Sequence, residues 1–157
     1  MANYTIRPYQ TIDYPVFLKM FYDNYINDYE MDLTMEQMDE LAQIITQSVE
    51  HNIMYLDLLF IDEVAVGFIK YQVDTPVSDW CEKEGFGFIR ELHVNQKFRG
   101  KGYGKSLAKH AENQLRSLNV PGIYLTTDTA MKFWQELGFK DTGEVCEKND
   151  GFIFIKE

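Results

Sequence analysis

The stretch Glu91-Leu-His-Val-Asn-Gln-Lys-Phe-Arg-Gly-Lys-Gly-Tyr-Gly-Lys-Ser-Leu107 decides how the rest of the chain is read. A strand ends at Leu92-His-Val94, a glycine-rich turn follows, and a helix opens near Gly102. Gly100, Gly102 and Gly104 alternate with Lys101, Tyr103 and Lys105, so the main chain turns tightly and presents N–H groups with no Cβ in the way. The start of a helix adds unpaired amides and the positive end of its dipole, the setting in which proteins hold phosphate. Lys97, Arg99, Lys101, Lys105 and Lys109 crowd this segment, with no acid between Asn95 and Ala111, in a chain of net charge -10. A solvated basic loop is the plain alternative. The glycine spacing favours an anion site.

Two nucleotide motifs fail on spacing. Gly100 to Ser106 ends in Gly-Lys-Ser, but a phosphate-binding P-loop needs four residues between its glycines, and Gly100 and Gly104 enclose three. The dinucleotide fingerprint Gly-x-Gly-x-x-Gly fails because the third glycine falls too early. What fits is Arg99-x-x-Gly102-x-Gly104 directly after a strand ending Leu92-x-Val94. This resembles the acyl-CoA-binding motif of the Gcn5-related N-acetyltransferase (GNAT) family. Ala130-Met-Lys-Phe-Trp-Gln-Glu-Leu-Gly-Phe139 is similar to that family's late helix, and the two motifs lie in the family's order.

At 157 residues, 45% hydrophobic and 25% charged, the chain is expected to form one domain spanning 1–157 with a covered sheet. Met-Ala-Asn-Tyr at the amino terminus does not read as a signal peptide, and the apolar run from Ile53 to Tyr71 is broken by Asp57, Asp62, Glu63 and Gly67. Cys81 and Cys146 lie far apart without CxxC spacing, which suits a reducing cytoplasm and predicts no metal site. A pI near 4.7 disfavours nucleic acid as a partner and suits a cationic one, such as an amine.

The periodicity predicts a strand over Tyr4 to Pro8 and an amphipathic helix through about Asp28, on Leu18, Phe21, Tyr22, Tyr25, Ile26 and Tyr29. Thr34 and Gln37 form a capping-box pattern for a second helix with Met38, Leu41, Ala42, Ile45 and Val49 on its apolar face. A hairpin over Met54 to Ile61 and Val64 to Val73 precedes a polar loop and the strand Phe86 to Val94. A third helix from Tyr103 to Leu118 buries Tyr103, Leu107, Ala111, Leu115 and Leu118, and Val120-Pro-Gly122 stops it. Strand Ile123 to Thr127, a short helix Ala130 to Leu137 and a hairpin around Asn149-Asp-Gly151 complete the chain. The class is α/β: a mixed, mostly antiparallel sheet of about seven strands with about four helices. The resemblance implies that the sheet splays between its fourth and fifth strands.

The resemblance also implies a chemistry. Acetyl-CoA, the co-substrate, would lay its arm in the splay beside the main chain of Leu92, His93 and Val94, where a bulge aims an N–H at the thioester oxygen. Its diphosphate would rest on the amides of Gly100, Lys101, Gly102, Tyr103, Gly104 and Lys105, with Arg99 and the lysines meeting the remaining phosphates. Thr127 stands where relatives often carry an Asn that contacts the arm. The acyl group passes directly to an amine of a small molecule or peptide, and dimers are common among relatives. A CoA-binding sensor or interaction module with little catalysis is the rival reading.

Several relatives place a Glu or His base on the fourth strand where this chain has Phe88 and Arg90, neither of which can accept a proton. Glu91 and His93 are then the candidate bases, although strand alternation turns them to the opposite face unless a bulge rotates them back. Trp134 stands where many relatives carry a Tyr that protonates the leaving thiolate; an indole N–H donates a hydrogen bond but not a proton. Arg90, in place of an acid, is expected to receive a carboxylate of the acceptor.

Overall fold

The computed structural model describes residues 3–157. The elements are β1 (Tyr4–Pro8), α1 (Tyr14–Tyr22), α2 (Met35–Glu50), β2 (Tyr55–Ile61), β3 (Val64–Val73), β4 (Gly87–Val94), α3 (Tyr103–Ser117), β5 (Ile123–Thr127), α4 (Met131–Glu136), β6 (Lys140–Val145) and β7 (Phe152–Lys156). The strands form one sheet in the order β1-β2-β3-β4-β5-β7-β6, antiparallel throughout except for β4 beside β5. This is the expected α/β class with seven strands and four α-helices.

Each face of the sheet buries one apolar layer. Phe17, Met20 and Phe21 of α1 and Met38, Ala42 and Ile45 of α2 pack on Leu58 and Phe68, while Leu107, Ala111 and Leu115 of α3 cover Ile69, Ile89 and Leu125 on the other side. Thr34 accepts from the Gln37 amide and Gln37 Oε1 accepts from the Thr34 amide, which closes the capping box that starts α2. Three expected core residues lie outside: Tyr29 is 52% exposed, Leu41 is 36% exposed and Leu118 is 47% exposed. The stripe on α2 turns toward Thr46 instead, and Leu118 falls after the last helical residue.

The predicted first helix to Asp28 requires a further correction. The α-helix stops at Tyr22 and the chain continues as a wide π-helical turn over Asp23–Asp28, marked by the Tyr29 amide donating to Asn24 O at 3.0 Å. A π turn places one more residue per turn than an α-helix, so spacing alone does not distinguish it from the end of an amphipathic helix. Its consequence is positional: Asn24, Tyr25 and Asp28 all reach the cleft beside β4.

That cleft is built by the sheet itself. β4 and β5 pair only at Gly87–Ile123 and Phe88–Tyr124, and beyond Phe88 the two strands part. The result is the expected splay between the fourth and fifth strands. The opening has a volume of about 820 Å³, walled by Ile89 to Val94 on one side and Leu125 to Ala130 on the other. Among the described residues, no helix is long and apolar enough to cross a membrane.

Candidate active site

Arg99 lines one end of the cleft and leads directly into the glycine loop. Gly100 and Gly102 take φ of 75° and 91°, left-handed values that a side chain resists, and Gly102 is the N-cap of α3. The first helical hydrogen bond runs from the Ser106 amide to Gly102 O at 3.1 Å. Among the described residues, the amides of Gly100, Lys101, Gly102, Tyr103, Gly104 and Lys105 find no protein acceptor. They form a row of free donors at the positive end of a helix of 15 residues. Lys97, Lys101, Lys105 and Lys109 are exposed, and none is ion-paired among the described residues. Phosphate chemistry fits such a cradle.

The other end is set by a bulge in β4. The β3–β4 register pairs Lys70 with Glu91 but Tyr71 with Ile89, leaving Arg90 as the extra residue. The extra residue restores Glu91 and His93 to the face that Phe88 and Arg90 occupy, which is the rotation that strict alternation denies. Glu91 there accepts from Lys70 Nζ at 3.1 Å and from the Tyr25 hydroxyl, both on Oε1. Its Oε2 is buried and has no partner. Burial, then the Glu91 charge, drives the Tyr25 phenol far above its ordinary range, so it stays a donor; the same two causes push Tyr29 up to about 12. Burial lowers the Lys70 ammonium, and Glu91 opposes that shift.

The remaining sequence-derived residues are placed as follows. His93 stacks on Phe68 with ring centroids 5.5 Å apart, and its Nε2 sits 3.0 Å from Asn95 Oδ1. Its Nδ1 lies 3.3 Å from Asp28 Oδ2 but off the line a hydrogen bond needs, so it is unpartnered. Burial holds this imidazole below its ordinary value. Arg99 donates from Nε to Val94 O and from Nη2 to Asp28 Oδ2, both at 2.7 Å, which ties the end of β4 to the π turn. Leu92 and Val94 line the cleft from β4. The Thr127 hydroxyl accepts from the Ala130 amide at 3.2 Å, close to the start of α4. Trp134, 7% exposed, meets Phe133 and Phe139 edge to face while also lining the cleft.

Arg90 is a correction. Rather than waiting for an acceptor carboxylate, its guanidinium grips Asp79 with Nη1 at 2.7 Å and Nη2 at 3.2 Å, and Nη1 also reaches Gln72 Oε1 at 3.1 Å. The β3–β4 loop thus supplies the carboxylate from within the chain.

The fold is shared with known proteins. A family model described as acetyltransferase (GNAT) family matches residues 18–139. The chain belongs to the GNAT family. The PaiA N-acetyltransferase of Thermoplasma acidophilum, solved with coenzyme A, is 17% identical over 99% of both chains with a TM-score of 0.75. An acetyltransferase of Thermus thermophilus is 18% identical over 98% of this chain and 96% of that one, with a TM-score of 0.74. Aminoglycoside N-acetyltransferase AAC(6')-Iy in complex with CoA is 17% identical over 93% of both, with a TM-score of 0.74. No curated protein sequence matches significantly.

Within the GNAT fold, sequence reasoning misses Tyr25, Asn24 and Asp28 as parts of this cleft, and Lys70 and Asp79 as ion-pair partners of its lining residues Glu91 and Arg90. One signal was available: Lys70 is the single charged residue in the apolar strand Val64–Val73. A lone charge inside a buried strand asks for a partner of opposite sign. Tyr25, Asn24 and Asp28 carry no such mark, because their placement depends on the π turn.

Proposed function

We propose that the protein is an N-acetyltransferase that transfers the acetyl group of acetyl-CoA to a primary amine of a small molecule or peptide. The observation that carries the reading is the combination of free loop amides directly after Arg99, which lines the cleft, with the unpartnered Oε2 of Glu91 in the cleft wall. Acetyl-CoA fits the donor set: the amides of Gly100 to Lys105 and the ammonium groups of Lys101 and Lys105 suit its diphosphate, and the open flank of Leu92, His93 and Val94 suits its arm. When bound, it supplies an activated acetyl thioester.

The residues of the chain divide the remaining work. Glu91 Oε2 takes the proton from the acceptor ammonium, because only the neutral amine is a nucleophile. Lys70 and Tyr25 hold Oε1, so Oε2 alone is left without a partner to accept a proton. His93 is less suited to that role, with Nε2 engaged by Asn95 and a side chain 1% exposed. Arg99 fixes the π turn over the site, and Trp134 walls the cleft without offering an acid. Arg99 also keeps an exposed guanidinium edge near the loop for phosphate.

A thiol-release assay with acetyl-CoA over polyamines, amino acids and aminoglycosides tests this. Turnover with at least one amine, strongly reduced in Glu91→Gln, is expected. Melting-temperature rises with CoA but no turnover on any amine would instead describe a CoA-binding module.

A further inference from the structure

The cations in and around the acceptor half of the cleft are already spent on carboxylates of the chain itself. Arg90 holds Asp79, Arg99 holds Asp28, and Lys70, behind the wall, holds Glu91. Arg90 is further fixed over the rings of Trp80 and Phe88, at 5.5 Å and 5.8 Å. Lys148 Nζ lies 5.0 Å from the Trp80 ring centroid and donates to Asp79 O at 2.8 Å, outside the lining of the cleft. Lys97, Lys101, Lys105 and Lys109, without an ion-pair partner among the described residues, stand at the glycine loop, outside the lining of the cleft.

What the acceptor half leaves unsatisfied has the other sign. Glu91, nine-tenths buried, lines the cleft and keeps a buried Oε2 without a partner, and Asp128 lies on the facing wall. Tyr25 and Tyr29 line the same space, giving π faces suited to a cation. The neighbouring Asn24 Nδ2 is also buried without a partner, but a neutral amide does not compensate a carboxylate's charge.

We propose that the acceptor is a small cationic amine carrying no carboxylate, such as an alkyl diamine or an arylalkylamine, and that free amino acids are excluded. This rests on the acetyl-transfer reading above and narrows it. The ammonium satisfies Glu91 Oε2. A carboxylate on the adjacent carbon would enter the same wall of acids, where Arg90 already holds Asp79 and Arg99 already holds Asp28.

The test uses pairs that differ by one carboxylate: cadaverine and lysine, putrescine and ornithine, tyramine and tyrosine. Values of kcat/KM with acetyl-CoA are measured for each, and calorimetry on the CoA-loaded protein ranks their binding. The decarboxylated member is expected to lead by at least about tenfold, since an unpaired like charge disfavours the wrong partner. Amino acids performing as well or better overturn the inference while leaving acetyl transfer standing. Absence of turnover with every amine counts against acetyl transfer, and the calorimetric ranking still decides the inference. Asp79→Asn, at an exposed position, frees Arg90 and should narrow the ratio several-fold by improving the amino acids; an unchanged ratio overturns the reason given for it.

Discussion

Lys70 and Glu91 face one another across the β3–β4 ladder at the bulge, with Nζ 3.1 Å from Oε1 and side chains 4% and 10% exposed. A pair this buried is a poor stabiliser on balance, because desolvation of both ions offsets most of their attraction. Its value lies in fixing which carboxylate oxygen is left over.

Removing either partner alone leaves an uncompensated buried charge or an unsatisfied ammonium. Lys70→Met and Glu91→Gln should each lower stability by about 3 kcal/mol in urea denaturation. The double variant should lose well under the sum. Strict additivity would show that the two side chains do not act as a unit.

His93 makes stability depend on pH. Burial depresses its folded-state pKa, so below the unfolded value of about 6.5 the unfolded chain takes up a proton that the folded chain refuses. The contribution is therefore complete above that value and lost as pH falls through it. Wild type should lose denaturation midpoint between pH 7.5 and 5.5, and His93→Leu should flatten that part of the curve; parallel curves would remove His93 as the cause.

The loop glycines should separate by backbone rather than by space. A Cβ on Gly100 meets nothing within 4 Å, yet its φ of 75° costs a side chain about 1 kcal/mol. A Cβ on Gly104 would lie 3.7 Å from Phe133, in ordinary contact, within α3. Gly100→Ala should weaken CoA binding several-fold by calorimetry and Gly104→Ala should retain it. The reverse order would mean that the loop does not hold the diphosphate through its main chain.

Trp134 should prove a wall and not an acid. Trp134→Phe keeps the aromatic contacts with Phe133 and Phe139, and kcat should fall less than about threefold, below the range that general acid catalysis commands. Trp134→Ala empties a largely buried site and should cost about 3–5 kcal/mol in thermal or urea unfolding. A large drop in kcat for the Phe variant, with stability intact, would give the indole N–H a catalytic part.

The strands, the glycine loop and the start of α2 were legible in the sequence because each is written in local signals: alternation in the strands, glycines where φ is positive, a capping box before α2; the splay came only with the family resemblance. The acceptor side was not. Glu91 reaches its place through a bulge that no residue type announces, and the pairing of Arg90 with Asp79 spans a loop whose path depends on Asp74, which accepts from the Glu82 and Lys83 amides at 2.9 Å and 3.0 Å. Apolar spacing from Leu18 to Tyr29 also read as one helix, because a single inserted residue changes its phase too late to be seen.

The two rungs between β4 and β5 leave the molecule as a pair of plates joined along a short seam. A guest lodged beyond that seam would serve as a missing strand, lending its own amides and carbonyls to edges that the polypeptide leaves open. Occupancy and the mechanical unity of the two halves are therefore a single property, and breathing of the plates against each other should quieten when the guest arrives.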